Sequence, residues 1–334
     1  MKPEVIIKSI TAAFLILILN CAMAGATATI EKKFILHPGW NSIFLDVQPS
    51  PADPFLVFAS LPKGSSVWTW MNKNSSVEFI SNPNEDLLKI PGWCVFFQDD
   101  EKSFLNNLYA IIAGWAYLIN VAGDQPVELA VTGMASVKKT TWIPDSFNLT
   151  GFNVNSDNPP DFATFFSASP AHTGQAIYTL NPTTGMWNFI ENLSATKIKA
   201  GEAYWVYCEG ASEYQGPLEI TLPGLGGFDY GKYNDTLIIT FHNAFDQAVL
   251  VNMSPLSNDI ALVYRKLNTE TGLFEWPPLS SMPAFSLVPN SWKNIRVSAL
   301  RESLVSEKAQ SLVRIWDNLG NQLIVPVLIE KETL

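Results

Sequence analysis

Three short acidic clusters carry the side chains that come nearest to metal-binding chemistry in this sequence. They lie at residues 84–86, 99–101 and 157–161. Carboxylate-rich loops hold Ca²⁺ in many extracellular modules, but none of the three clusters has the ligand spacing of a known calcium loop. We therefore expect solvated acidic loops and no cofactor, with weakly bound Ca²⁺ as the alternative.

Histidine is scarce, and one residue falls in each third of the chain: His37, His172 and His242. None has a second His or a Cys at the spacing of metal ligands. No phosphate loop, dinucleotide-binding motif or nucleophile motif occurs. The sequence therefore predicts no catalytic residue and no metal site. One route to hydrolysis stays open, because the two carboxylates of a glycosidase meet only in space and leave no local motif.

Aromatic residues are abundant, with 11 Trp, 9 Tyr and 20 Phe. An exposed ring can stack on a sugar, whereas a buried ring contributes a large apolar area to a core. Trp40, Trp68 and Tyr117 have aromatic counterparts in the internal repeat described below, which favours a core role. Five tryptophans without such a counterpart are the candidate ligand contacts: Trp93, Trp142, Trp187, Trp276 and Trp292.

Two cysteines, Cys94 and Cys208, remain if the N-terminal segment is removed. Export would favour a disulfide between them, but they occupy non-equivalent positions of the repeat. Sequence alone cannot place two sulfur atoms within bonding distance. We expect two separate buried thiols, with one disulfide as the alternative.

The N-terminus has the features of a secretory signal peptide. Lys2 and Lys8 precede an apolar run at 10–19, and the small residues Ala22 and Ala24 flank Met23. The apolar run is about half the roughly 20 residues that cross a bilayer as a helix, which argues against a transmembrane anchor. Lipidation at Cys21 is a second alternative. The sequence predicts cleavage near Ala24 and a secreted or periplasmic mature chain.

The net charge of −10 and the 21 Lys and Arg residues argue against a nucleic-acid partner, which requires a cationic surface. Charged residues make up only 16% of the chain while apolar content is high, so a folded core is expected. A mature chain of about 310 residues exceeds one typical core, and two or three domains are expected.

The chain repeats itself, which indicates a duplicated structural unit. Blocks at 34–133 recur in the same order at 142–224, so that Trp40 matches Phe147 and Trp68 matches Tyr178. The last blocks pair 127–133 with 218–224. A change of offset predicts an insertion at about 81–108 in the first repeat, which would add a strand at 91–97.

Short segments rich in Val, Ile, Phe, Tyr and Trp, bounded by Gly, Pro, Asn and Asp, predict strands in both repeats. One short helix is expected in each, at 54–61 and 161–167. A Gly-rich linker at 225–234 precedes seven or eight predicted strands at 235–329. The sequence thus predicts an all-β protein with two tandem duplicated β-rich domains and an immunoglobulin- or fibronectin-like β-sandwich.

Two functional classes fit these features. The first is a secreted or cell-surface, non-catalytic binding or structural module whose extracellular or envelope ligand is a glycan or a protein. The alternative is a secreted glycan-active hydrolase or a carbohydrate-binding protein. An aromatic-lined groove with two facing carboxylates would favour the alternative.

Overall fold

A computed structural model describes residues 28–71 and 92–332 of the chain. The predicted signal peptide at 1–24, Cys21 and the acidic cluster at 84–86 lie outside the described residues. Strands dominate the described part, in several sheets, with two short α-helices. The protein is therefore all-β, as the sequence predicts.

The first unit contains a three-stranded sheet and a four-stranded sheet. The three-stranded sheet has the order β1–β7–β3, where β1 is Ile30–Leu36, β7 is Val127–Ala135 and β3 is Val47–Pro49. The four-stranded sheet has the order β2–β6–β4–β5, where β2 is Gly39–Leu45, β6 is Trp115–Val121, β4 is Ser66–Trp70 and β5 is Trp93–Phe97. Helix α1, Pro54–Val57, connects β3 to β4.

The second unit contains a four-stranded sheet with the order β8–β11–β9–β10. Its strands are β8 at Ser146–Thr150, β11 at Tyr204–Cys208, β9 at Ile177–Asn181 and β10 at Met186–Phe189. Helix α2, Phe162–Phe166, connects β8 to β9. Each helix begins at an aspartate that caps it, because Asp53 accepts a hydrogen bond from Phe55 N and Asp161 accepts one from Thr164 N.

The two four-stranded sheets also share their register. Tyr117 lies opposite Ile43 on β2, and Tyr204 lies opposite Thr150 on β8. The central strands β6 and β11 each pair with a second strand along their other edge. There Trp68 of β4 lies opposite Leu118, and Tyr178 of β9 lies opposite Trp205. Trp68 and Tyr178 thus occupy corresponding positions of the two sheets.

The insertion in the first unit lies elsewhere than the sequence offset suggests. Trp93 on β5 pairs with Trp70 on β4, and Trp187 on β10 pairs with Leu180 on β9. Strand β5 therefore takes the place of β10 and is not an added strand, so Trp93 and Trp187 are counterparts. The β4–β5 connection spans residues 71–92, compared with 182–185 in the second unit, so most of the extra length lies there. The order in which the strands pair, and not the sequence offset, marks this equivalence.

One hydrophobic cluster joins the two four-stranded sheets. Residues at equivalent positions of both sheets contribute to it, in the pairs Trp40 and Phe147, Trp68 and Tyr178, Trp70 and Leu180, Trp93 and Trp187, and Leu118 and Trp205. Trp40 is only 7% exposed. Because aromatic side chains bury large areas, this cluster is a main source of cohesion between the two units.

The third unit is a sandwich of two sheets. The first sheet has the order β12–β14–β20–β16, where β12 is Leu218–Thr221, β14 is Thr236–Asn243, β20 is Trp292–Ala299 and β16 is Leu262–Tyr264. The second has the order β13–β22–β21–β15–β19, where β13 is Phe228–Asp229, β22 is Gln322–Glu330, β21 is Lys308–Asp317, β15 is Val249–Pro255 and β19 is Phe285–Leu287. A separate hairpin pairs β17, Lys266–Leu267, with β18, Phe274–Glu275.

Strands β12 and β13 belong to the sandwich, although the sequence boundaries place them in the second repeat and in the linker. β12 pairs with β14 and β13 pairs in parallel with β22. Phe228 and Tyr230 have no exposed surface and lie in the sandwich core together with Leu218. The Gly-rich segment therefore carries the chain from one sheet to the other, and Phe228 and Tyr230 anchor it in the core while most of its other residues are exposed.

Candidate functional site

A cavity of about 890 Å³ lies where the three units meet. Phe44 of the first unit, Phe152 and Phe165 of the second, and Trp316 and Leu323 of the sandwich all line it. The other lining side chains are apolar and polar in similar numbers, but apolar atoms form most of the cavity surface. This size and this lining are typical of ligand sites in proteins.

Two asparagines add polar side chains to the lining of this cavity, Asn153 and Asn321. Within the described residues, the Oδ1 atoms of both have no hydrogen-bond partner. Both oxygens are fully buried, so other atoms of these two residues form the cavity surface.

A second cavity of about 540 Å³ adjoins the first. Lys139, Gln215, Ile220 and Thr221 line both cavities. Together the two cavities form one elongated depression, which we call the junction trough. Strand β12 runs along it, because its residues contribute to the wall of each part.

Strand β12 is an edge strand, and its backbone faces the trough. Ala244 N donates to Pro217 O at 3.0 Å, and Asn243 N donates to Ser291 O at 3.1 Å on the opposite side of β14. Hydrogen-bonded and non-bonded pairs alternate between antiparallel strands. It follows that the backbone groups of Glu219 and Thr221 hydrogen-bond to β14. The N–H and C=O groups of Leu218 and Ile220 point away from β14. In the described part of the chain, no residue hydrogen-bonds these outer groups of Ile220.

Two lysines lie at the rim of the trough. Lys138 and Lys139 are exposed, in the segment that connects the first two units. Lys138 Nζ lies 5.6 Å from the centre of the Trp115 ring. Neither lysine forms an ion pair with another described residue, so the rim offers positive charge in a chain of net charge −10.

Hydrogen bonds across the junction fix the walls of the trough. Gln322 N donates to Asn153 O at 3.1 Å, and Asn155 N donates to Gly320 O at 2.8 Å. Gly320 has a φ of +98°, and a Cβ atom there would lie 2.1 Å from Asn158 O. Only glycine fits this position, because both the left-handed backbone and the close approach exclude a side chain.

The turn at this junction is organised by Asp317, which is 3% exposed. Its carboxylate accepts hydrogen bonds from Leu319 N at 2.9 Å and from Asn321 Nδ2 at 2.7 Å. Burial raises the pKa of Asp317 above its ordinary value although these hydrogen bonds oppose the rise. The turn thereby presents Asn321 to the trough.

The five candidate tryptophans are placed differently. Trp93, Trp142 and Trp187 are each 6% exposed and lie in the hydrophobic clusters of the first two units. Trp276 is 43% exposed and lines a separate cavity of about 710 Å³ in the sandwich. Trp292 is 61% exposed. None of the five lines the junction trough.

Trp292 belongs to a row of three side chains across β12, β14 and β20. Its ring stacks on His242 with centroids 3.8 Å apart, and His242 Nδ1 lies 2.8 Å from Glu219 Oε2. An exposed aromatic ring beside polar side chains can contact a sugar. Glu219 of this row also lines the smaller cavity, so the row connects the exposed Trp292 to the wall of the trough.

Cys94 and Cys208 are free thiols in different units. Cys94 Sγ lies 3.1 Å from Met71 Sδ, and Cys208 Sγ donates to Gly210 O at 3.3 Å. Burial raises the pKa of both thiols. Neither thiol is therefore activated as a nucleophile.

The acidic residues named in the sequence analysis form hydrogen bonds within their own loops and helix ends. Asp99 Oδ1 accepts from Glu101 N at 3.0 Å and begins a short 3₁₀ helix. Burial opposes ionisation of Asp161, but hydrogen bonds from Thr164 and Lys197 outweigh it and lower the pKa of this carboxyl. Over 28–71 and 92–332, no group of three or more His, Cys, Asp and Glu side chains is arranged to hold a metal ion.

The structure brings together a serine and a histidine of the second unit that no sequence motif marks. Ser169 Oγ lies 2.6 Å from His172 Nδ1, and Ser169 lines the smaller cavity. His172 is fully buried between Trp142 and Phe166, and burial lowers its pKa to about 4. Its Nε2 has no partner among the described residues, so no third group orients the imidazole as a general base.

No helix within the described ranges is long and apolar enough to cross a membrane. No protein-family model matches the chain, and no curated protein sequence does.

Several solved structures resemble parts of it. The ASH/PapD-like domain 7 of human CEP192 has 10% identity, covers 35% of this chain and 87% of its own chain, and gives a TM-score of 0.24. The periplasmic chaperone SfaE has 9% identity, covers 35% of this chain and 58% of its own chain, and gives a TM-score of 0.25. This chain thus matches little more than half of the chaperone. The VesB protease of Vibrio cholerae has 9% identity, covers 90% of this chain and 99% of its own, and gives a TM-score of 0.23. At these TM-scores the resemblances carry no function across.

Proposed function

We propose that the protein is an exported, non-catalytic binding module. In this proposal two copies of one β-rich unit and a β-sandwich together form the ligand site, which is the junction trough. The observation that carries it is the cavity of about 890 Å³ between the three units, whose surface is largely apolar. A largely apolar ligand fits this lining.

Export rests on the N-terminal sequence. Its short apolar run and the small residues around Met23 have the order of a cleaved signal peptide. We expect the exported protein to begin at Gly25, as measured by N-terminal sequencing or intact mass. A chain that begins at Met1, or a diacylated Cys21, would contradict cleavage after Ala24.

Ligand occupancy of the trough is tested with an apolar fluorescent probe, 1-anilinonaphthalene-8-sulfonate, on the folded mature protein. We expect saturable binding. Val137 lines the larger cavity, so Val137→Trp should fill part of it and weaken probe binding at least about tenfold. Val288 is 62% exposed and does not line the trough, so Val288→Trp is the matched control and should bind like the wild type. Equal binding by both variants would place the probe elsewhere and refute the proposed site.

Glycan binding on the sandwich is a second candidate, because Trp292 is 61% exposed beside His242 and Glu219. A glycan array probed with mature protein tests it. Binding that Trp292→Ala abolishes and Trp276→Ala leaves intact would support this candidate. Release of sugars from a bound glycan would instead support the hydrolase alternative, and then Glu209, Glu213 and Glu219 of the smaller cavity are the carboxylates to replace.

A further inference from the structure

We propose that the occupant of the junction trough is an extended peptide segment of a partner protein, which adds to the sandwich as a strand beside β12. This inference rests on the proposed function and specifies the class of ligand. It follows from the backbone groups of one edge strand, from the cavities beside that strand, and from the charge at the rim.

The backbone of β12 supplies the first argument. Ile220 directs both its N–H and its C=O away from β14, and the described chain offers no partner for them. The trough lies beside this strand, since Ile220 and Thr221 line both cavities. An unpaired donor and acceptor on one residue of an edge strand match the main chain of an added strand.

The opposite edge of the same sheet is covered. Tyr264 N of β16 donates to Pro277 O at 3.0 Å, and Val263 forms an isolated bridge with Pro278. Proteins commonly protect edge strands by covering them. Across 28–71 and 92–332, no segment hydrogen-bonds the outer backbone groups of Ile220 on β12. The segment at 137–140 lines the larger cavity without pairing with this edge.

The walls of the trough define the peptide. Successive side chains of a strand point to opposite faces, so every second side chain of an added strand can enter the apolar cavity beside Phe165 and Leu323. Lys138 and Lys139 favour an acidic side chain or a terminal carboxylate at the larger cavity. Glu209, Glu213 and Glu219 line the smaller cavity and favour a basic side chain there.

A selection from phage-displayed random 12-residue peptides on the folded mature protein provides the probe. We expect selected peptides to alternate apolar and polar residues, with Asp or Glu at the end that lies in the larger cavity and Lys or Arg at the other end. Binding is then measured by calorimetry with a synthetic copy of a selected peptide. Lys139→Glu should weaken binding about tenfold, because it reverses the charge at the rim.

Amide hydrogen exchange by NMR distinguishes strand addition from simple filling of the cavity. Saturating peptide should slow exchange of the Leu218 and Ile220 amides at least about tenfold, whereas Ser286 on the edge strand β19 should be unaffected. Ile220→Pro removes the N–H and should abolish peptide binding, while Ile220→Val keeps it and should bind like the wild type. If the proline variant does not fold, the exchange result on the wild type still decides.

The remaining outcomes separate this inference from the proposed function. Two outcomes would refute strand addition while still supporting a binding site in the trough. One is probe binding in the trough when the selection yields no peptide. The other is peptide binding that does not slow hydrogen exchange of the Ile220 amide. Loss of probe binding as well would overturn both. If hydrogen exchange of the Ile220 amide slows with rising protein concentration in the absence of peptide, the occupant is a second copy of this chain. That result would also refute a partner peptide.

Discussion

Tyr117 and Tyr204 occupy equivalent positions in the first two units and make the same contact. Tyr117 Oη accepts a hydrogen bond from Ile112 N at 2.7 Å, and Tyr204 Oη accepts one from Lys199 N at 3.0 Å. Each hydroxyl thus fixes the backbone five residues before it, where the chain enters the central strand of a sheet. Burial raises the pKa of both phenols, so both remain neutral donors and acceptors at physiological pH.

Removing either hydroxyl should destabilise its unit to a similar degree. Tyr117→Phe and Tyr204→Phe each leave a backbone N–H without its acceptor, which should lower the free energy of unfolding by about 1–3 kcal/mol. Chemical denaturation of the mature protein measures this. Tyr109 is 79% exposed, and Tyr109→Phe serves as the control with little change expected. A neutral effect at both buried positions would show that the hydroxyls are dispensable.

A methyl group at Gly151 should disrupt the contact between the first two units. A Cβ atom there would lie 2.2 Å from Phe44 Cβ and 2.7 Å from Glu202 O. We expect Gly151→Ala to cost about 1–3 kcal/mol of stability through overpacking. Gly226 has open space around it, and Gly226→Ala should stay within about 0.5 kcal/mol of the wild type. Equal stability of the two variants would mean that the units are not in close contact there.

The sandwich should fold alone only if β12 and β13 are included. A chain of residues 215–332 keeps Leu218, Phe228 and Tyr230, all buried in the sandwich core. A chain that begins at Gly231 lacks these side chains and the two strands that carry them. Loss of one large buried aromatic side chain costs about 3–5 kcal/mol, a large part of the stability of a small domain. We expect a cooperative thermal transition for the longer chain and none for the shorter one. Cooperative unfolding of the shorter chain would restore the boundary expected from sequence.

Stability should fall as the pH decreases through the titration range of His172. Burial lowers the pKa of His172 to about 4, whereas an unfolded histidine titrates near 6.5. Between these values the unfolded chain binds a proton that the folded chain does not, so acidification favours unfolding. The full effect is at most about 3 kcal/mol. His172→Asn removes this contribution, so the stability difference between wild type and variant should shrink from pH 7 to pH 4. A constant difference would contradict the assigned pKa.

Strand positions were predictable from the sequence wherever alternation and turn residues agree. The turn after Asp317, the hairpin that begins at Asn181 and the aspartate at the start of α2 all follow from local chemistry. The equivalence of Trp93 and Trp187 could not be predicted from the sequence. It depends on which strands pair in each sheet, and the residues around the two tryptophans are not similar enough to show it. The assignment of β12 to the sandwich likewise depends on long-range pairing.

The trough was not predictable for a related reason. Its walls come from Phe44, Phe152, Ile220 and Trp316, which are far apart in the sequence and carry no motif. Apolar residues that line a cavity have the same local pattern as residues that fill a core. Lys138 and Lys139 give no distinctive signal, because Lys32–Lys33 and Arg265–Lys266 are adjacent cations as well.

The aromatic cluster between the first two units brings together matching positions of two similar sheets, Trp93 with Trp187 among them. Two separate polypeptides that met in this way would be a homodimer whose population falls on dilution. Within one chain the partners are tethered, so their effective concentration is set by the segment at 136–145 and not by the amount of protein present. Both halves of this arrangement therefore stay together however far the protein is diluted.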